Sequence, residues 1–258
     1  MRKSIIAASL LSAFVTVPAF AQEAPKEPYT FTANVSLASE YTYRGIGQTN
    51  RKPAIQGGFD FAHESGVYVG TWASNVSWLS DQGSAGATPI SNSMEWDFYG
   101  GYKMTAGPIG LDFGVLTYYY PGTYPNGFTS PNTTELYAAA SWEWLTFKYS
   151  YALTNLFGAK TPDGGDTNGS AYYDLTASVP VGAGFNVIGH VGYQDVKDFS
   201  DASYTDWKLG VTKDFVGVSW GLSYIGTNAK GDEGQFYRNA HGKDLGKDRI
   251  VLTATKTF

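Results

Sequence analysis

Apolar and polar residues alternate one for one as soon as the N-terminal apolar run is past. Phe31, Ala33, Val35 and Leu37 interleave with Thr32, Asn34 and Ser36, and the alternation continues with Tyr41 and Tyr43 against Glu40 and Thr42. A two-residue period gives an extended chain one apolar and one polar face and does not fit a helix. Ile55, Phe59 and Phe61 predict a second strand, followed by a tight turn at 63–66. A third strand, from 67 to about 78, places Tyr68, Trp72 and Val76 on one face, and a polar loop covers roughly 79–92. Met94, Trp96, Phe98 and Tyr102 then alternate with Glu95, Asp97, Tyr99 and Lys103. A Gly-Pro turn near 106–108 leads to Leu111, Phe113 and Val115, and a loop rich in Pro, Gly, Asn and Thr occupies about 120–133.

The second half repeats the pattern, with strands near 134–143 and 146–153, 170–179 and 185–193, 204–213 and 217–225, and a last one over about 247–258. Twelve strands result; merging or splitting one pair gives ten or fourteen. Five short turns interleave with six longer loops. Outer-membrane barrels have this asymmetry and an even strand number, whereas a soluble sandwich has no reason for it. The fold class predicted is all-β, a transmembrane antiparallel up-and-down β-barrel of about twelve strands. In lipid every backbone N–H and C=O must be paired, so a spanning sheet has to close on itself.

The ends and the composition agree with this. Arg2 and Lys3 precede an apolar run over 5–17, and Ala19-Phe20-Ala21 has the small-x-small form of a signal peptidase site. The run is too short to span a bilayer as a helix, so 1–21 reads as a signal peptide cleaved after Ala21. Residues 22–28 read as a disordered lead-in and 29–258 as the barrel. Removal of the signal leaves 16 basic residues against 23 acidic ones, a net charge of −7, which argues against nucleic acid as a partner. With no cysteine, an exported chain of this size rests on its core or on a bilayer. The uncharged stretches 113–134 and 175–194 contain prolines and glycines and are not continuously apolar, so neither is a transmembrane helix. The closing strand alternates Ile250, Leu252 and Ala254 and ends on Phe258, the type of terminal aromatic by which the barrel assembly machinery recognises its substrates. Lys256 stands where a second aromatic is usual.

Catalytic patterns are sparse. Gly217-Val218-Ser219-Trp220-Gly221 matches G-x-S-x-G, but Val218, Trp220, Leu222 and Tyr224 continue a strand where a nucleophile elbow needs a strand-turn-helix. Of the three histidines, His63 falls in a short turn and His241 in the longest loop. His190 falls on an inner face, as a lining residue or as the base of a barrel enzyme. No H-E-x-x-H, cysteine cluster or Walker pattern occurs, so no metal or cofactor is expected. Asp163 to Ser170, DGGDTNGS, offers oxygen ligands for calcium but lacks EF-hand spacing and reads better as a turn cluster. Trp72, Trp96, Trp142, Trp207 and Trp220 fall on the apolar phase, which predicts interfacial girdles and argues against a carbohydrate platform.

The polar phase is the interior, because charges facing lipid are costly. Glu40, Asp60, Glu95, Asp97, Asp112, Glu135, Glu143, Asp174 and Asp206 should point inward, together with Arg44, Lys103, Lys148, Lys208 and Arg249. Nine acids against five bases predict an acidic lumen with a weak preference for cations, or an ion-pair network that fills the barrel. Twelve strands fall between barrels filled by side chains and barrels that hold wide channels, and Tyr99, Tyr118, Tyr137 and Tyr172 on the inner phase narrow the bore further.

The segment 36–76, SLASEYTYRGIGQTNRKPAIQGGFDFAHESGVYVGTWASNV, resembles the signature of the TorF-type (Gcw_chp) outer-membrane porin family of proteobacteria. The resemblance is carried by Tyr41, Arg44-Gly45-Ile46, Gln48-Thr49, Pro53-Ala54, Gln56 to Asp60, and Gly70 with Trp72, Ser74 and Asn75. A terminal Lys256-Thr257-Phe258 and the chain length extend it over the whole mature chain. It implies an outer-membrane barrel with porin activity and carries no catalytic residues. The expected function is therefore passive diffusion of small solutes, with the bilayer as surroundings. A structural or adhesive barrel and an enzyme using His190 are the rivals. In this reading Tyr41 and Tyr43 face lipid, and the polar run after Arg44 is the first extracellular loop. Arg44, Gln48 and Arg51 then either line the pore mouth or fold that loop onto the barrel.

Overall fold

The computed structural model describes residues 27–84 and 90–258; the expected signal peptide, its cleavage point after Ala21 and all but the last two residues of the lead-in lie outside them. Twelve antiparallel strands close into one barrel. They are β1 (Tyr29–Ala38), β4 (Ala54–His63), β5 (Val67–Asn75), β6 (Met94–Ala106), β7 (Ile109–Tyr119) and β8 (Thr133–Trp142), then β9 (Leu145–Ala152), β10 (Ala171–Gly182), β11 (Phe185–Asp195), β12 (Tyr204–Phe215), β13 (Val218–Thr227) and β14 (Arg249–Thr257). Two further short strands, β2 (Thr42–Tyr43) and β3 (Ile46–Gly47), form a hairpin of their own. Each barrel strand pairs with its neighbours in chain order, and β1 pairs with β14 to close the ring, so the sheet has no free edge.

The expected asymmetry of connections is present. At one end the strands are joined by minimal turns, two of which, Ala183-Gly184 and Val216-Gly217, have consecutive positive φ values. That conformation matches the twist of the flanking strands and suits a two-residue hairpin. Glu143, expected on the inner face, lies in the β8–β9 turn at a φ of 52°, because β8 stops at Trp142. At the other end the loops are long, and the segment read as a polar loop after β5 begins with a helix, α1 (Trp78–Ser84), whose preceding Ser77 donates its hydroxyl to Asp81.

The outer face is apolar where a water-soluble protein would be polar. Phe31, Leu37, Ile55, Leu209 and Ile250 are all at least 60% exposed. Cross-strand rings stack along this surface, Tyr29 on Phe61 at 5.9 Å and Phe31 on Phe59 at 6.0 Å. Trp96, Trp142, Trp207 and Trp220 stand outward as expected. An exterior of this composition with a polar interior is the inverse of a soluble domain and suits a bilayer.

The inner wall has a recurrent joint. Tyr99, Tyr68, Tyr137 and Tyr172 point inward and lie against Gly70, Gly101, Gly114 and Gly192 on neighbouring strands, where any Cβ would clash with the ring or its hydroxyl. The tyrosines therefore lie along the wall and do not project across the bore. Most of these hydroxyls end on inward carboxylates, Tyr99 on Asp60 at 2.6 Å, Tyr68 on Asp112 at 2.5 Å and Tyr172 on Asp206 at 2.9 Å.

Candidate functional site

The site is built by the chain between β1 and β4. After Ala38 it leaves the wall, and Ser39 N–H still reaches the Leu252 carbonyl on β14. It then turns into the lumen, where Tyr43 pairs with Ile46 across a two-residue turn. Arg44 and Gly45 form that turn with φ values of 46° and 78°, the double positive-φ signature of a tight hairpin. A Cβ on Gly45 would clash with Thr227 and stand 2.8 Å from Asp206 Cβ, so the hairpin tip lies against the β12–β13 wall. The loop has folded onto the barrel from within.

Arg44 ties the hairpin tip to the wall. Its guanidinium donates to Glu135 on β8 at 2.7 Å and to Gln194 on β11 at 2.7 Å, and lies 4.1 Å from the ring centroid of Tyr172 on β10. Both side chains of the Arg44–Glu135 pair are almost fully buried. At the root of the hairpin Arg249 donates to Glu40 at 2.7 Å, and Glu40 also accepts the Arg51 backbone N–H. Gln48 is buried and donates to the Ile46 carbonyl, so it holds the hairpin and does not line a mouth; the Arg51 residue is exposed.

Tyr41 and Tyr43 do not face lipid. Tyr41 is 5% exposed, packs edge-on against Trp72 at 5.5 Å and donates to Glu95 at 2.6 Å. The Tyr43 hydroxyl meets that of Tyr118 at 2.7 Å, and both rings pack on Phe157. Trp72 is likewise inward and not part of a girdle. Both faces of β5 carry apolar residues, so periodicity alone does not tell them apart; Gly58 opposite Trp72 leaves the room for its ring.

The remaining predicted residues line the wall. Glu95 is held between Tyr41 and Tyr120, while Asp97 beside it is buried with its Oδ1 lacking a partner among the described residues. Lys103 lies opposite Asp112 in register and over the Tyr68 ring, and Lys148 lies opposite Asp174 and over the Tyr137 ring. His190 sits between Asp206 at 2.9 Å and Asp174 at 3.4 Å, with Thr176 and Tyr172 also in contact. Lys208 is its register partner on β12. Tyr172 and Asp206 meet the His190 Nε2 and Thr176 and Asp174 its Nδ1, while Ser219 pairs with Asp214 and Thr255 at the short-turn end. The G-x-S-x-G sequence belongs to β13, as its alternation indicated. In the loop after β9, Asp163 is bonded by Thr161 and Asp166 by Lys160 at 2.6 Å and Asn155 at 2.8 Å, so both carboxylates serve loop closure.

Loops cover the hairpin from the long-loop end. Gly47 N–H donates to Leu245, Lys243 Nζ to Asn50, and the Ser77 and Trp78 N–H groups to Gln48. Gln194 and Phe157 as hairpin contacts, and Tyr120 as a partner of Glu95, are not legible in the sequence, since none of them carries a charge or a phase that points across a bore.

A family profile described as a bacterial protein of unknown function, Gcw_chp, matches residues 22–258. The chain belongs to the Gcw_chp family. Among curated proteins none matches this Gcw_chp member. Among solved structures it is similar to the KdgM porin, at 5% identity and a TM-score of 0.51 over 88% of this chain and 99% of that one. It is also similar to the NanC porin, at 11% identity and a TM-score of 0.51 over 88% and 98%. At identities this low, the likeness shows a shared barrel fold and no more.

Proposed function

We propose that the protein is an outer-membrane channel of the TorF type, through which small solutes and ions diffuse past a constriction made by the 42–47 hairpin. The observation that carries this reading is a closed barrel that is apolar outside and charged inside, with one loop folded into its bore. A closed sheet in lipid leaves the lumen as its only polar path. Toward the short turns the wall is lined by small hydroxyls and amides, among them Ser36 with Thr255, Ser141 with Thr146 and Asn186 with Ser178. Side chains this short leave the bore of a twelve-stranded barrel open to water, as a vestibule below the hairpin.

On β4 to β7 the inward charges are Asp60, Glu95, Asp97 and Asp112 against Lys103 alone, which supports a weak preference for cations. β14, followed by the terminal Phe258, is the strand we assign to recognition by the assembly machinery. One observation favours a non-conducting barrel as second reading: two buried ion pairs and the Glu95 hydrogen bonds tie the hairpin to the wall. Proteoliposome swelling with small neutral sugars separates the two, since a channel swells and a plug does not. A salt gradient across a planar bilayer then tests the selectivity, and a reversal potential of strong anion preference contradicts it.

A further inference from the structure

Among the described residues of the barrel strands, the outward-facing rows carry two cations, Lys213 on β12 and Lys256 on β14, both near the short-turn end. They stand two strands apart, with Trp220 of β13 between them. Phe185, Lys213, Trp220, Ala254 and Leu37 form one row over five adjacent strands, and Lys256 lies two residues beyond Ala254, opposite Val35. The Lys213 ammonium lies 4.3 Å from the centroid of the Phe185 ring. The Lys256 ammonium reaches toward the β12–β13 turn, where a Cβ on Gly217 would stand 2.9 Å from it. No carboxylate lies within ion-pair distance of either lysine among the described residues.

An apolar groove of about 440 Å³ runs along this row, its floor formed at Ala254 and Gly221 and its walls by Leu37, Trp220, Leu222 and Leu252. Closer to the turns than the lysines stand Phe215, Val216 and Phe258, each more than 60% exposed. The two ammonium groups therefore sit at the apolar boundary and not beyond it, where an unpaired charge is costly.

We propose that this face binds an anionic phospholipid of the leaflet at the short-turn side, with one acyl chain in the groove and the phosphate between Lys213 and Lys256. An apolar slot lined by Lys213, with Lys256 two residues beyond Ala254 toward the turns, matches an acyl chain joined to an anionic headgroup. A second copy of the chain related by a two-fold axis would bring like charges together across the same patch. The proposal rests on the barrel being embedded in a bilayer and needs nothing of its conduction.

The test uses the full chain refolded into phosphatidylcholine vesicles containing brominated phosphatidylglycerol or brominated phosphatidylcholine as quencher. Heat-modifiable gel migration reports insertion. Trp220 quenching, obtained by difference from Trp220→Phe, reports occupancy of the face. The expected result is a preference for phosphatidylglycerol that falls by about fivefold for each lysine removed in Lys213→Gln and Lys256→Gln. Lys160→Gln, in a distant loop, keeps it. An inserted wild type with no preference, or a preference that survives the double variant, overturns the proposal. So does a Trp220→Cys protein that cross-links to a second copy in neutral vesicles. A chain that fails to insert at all overturns the bilayer reading as well, and the gel shows which has failed.

Discussion

Arg44 adopts a φ of 46°, a left-handed conformation that costs a non-glycine residue about 1–2 kcal/mol. Its contacts with Glu135, Gln194 and the Tyr172 ring offset that cost. Arg44→Met leaves Glu135 buried without its cation, and breaking a buried pair from one side costs about 3–5 kcal/mol. The expected outcome is loss of hydrogen-exchange protection at the Gly47 and Gln48 amides while the barrel strands stay protected. Gly192→Ala tests the wall joint, because its Cβ would clash with Tyr172 and stand 2.8 Å from Asp206 Oδ2. A drop in stability of about 1–3 kcal/mol is expected, as for overpacking of a tight site, measured by denaturant unfolding in micelles. At this scale the inward position of strand charges such as Asp97, Asp112 and Asp174 follows the two-residue alternation, whereas Glu143 falls in a turn because β8 ends before it. The alternation misplaces Tyr41 and Tyr43 because it continues past the point where the chain leaves the wall. A hairpin inside a lumen has the same period as a strand in its wall.

Among the elements, the strands were legible because lipid on one side and water on the other impose a strict two-residue period. The inward hairpin was less so. Its one local signal is the Arg44-Gly45 pair between Tyr43 and Ile46, with the second residue a glycine at a φ of 78°. Gly45→Val is expected to unseat the hairpin as Arg44→Met does, since a side chain there meets Thr227 and Asp206 as well as an unfavourable φ. The loop after β9 offers a pH test. Asp166 is held below the usual carboxylate range, first by its hydrogen bond from Lys160 and then by that from Asn155. A depressed value means that its contribution is complete above the unfolded carboxylate range of about 4 and is lost as the pH falls through the lower folded value. The Thr167 amide, which donates to Asn155 in the same loop, should keep its exchange protection at neutral pH and lose it only below about pH 4. Loss at neutral pH would contradict that assignment.

For the whole molecule, the outward apolar surface and the inward charges make the same statement about surroundings. Leu209, 63% exposed on the outer face, is in a position where lipid and water give opposite results on substitution. Leu209→Arg is expected to destabilise the refolded barrel in vesicles by about 2–4 kcal/mol if that row lies near the midplane; in a water-exposed position the change would be close to neutral. The central claim is that the hairpin, tied to the wall by Arg44, sets the bore of an otherwise polar channel. Single-channel recording in planar bilayers addresses it most directly, comparing the native chain with one in which residues 42–47 are replaced by a short glycine-serine linker. A small, finite conductance is expected for the native chain and one at least about twofold larger for the replacement. Equal conductances, or no current from either, would contradict it.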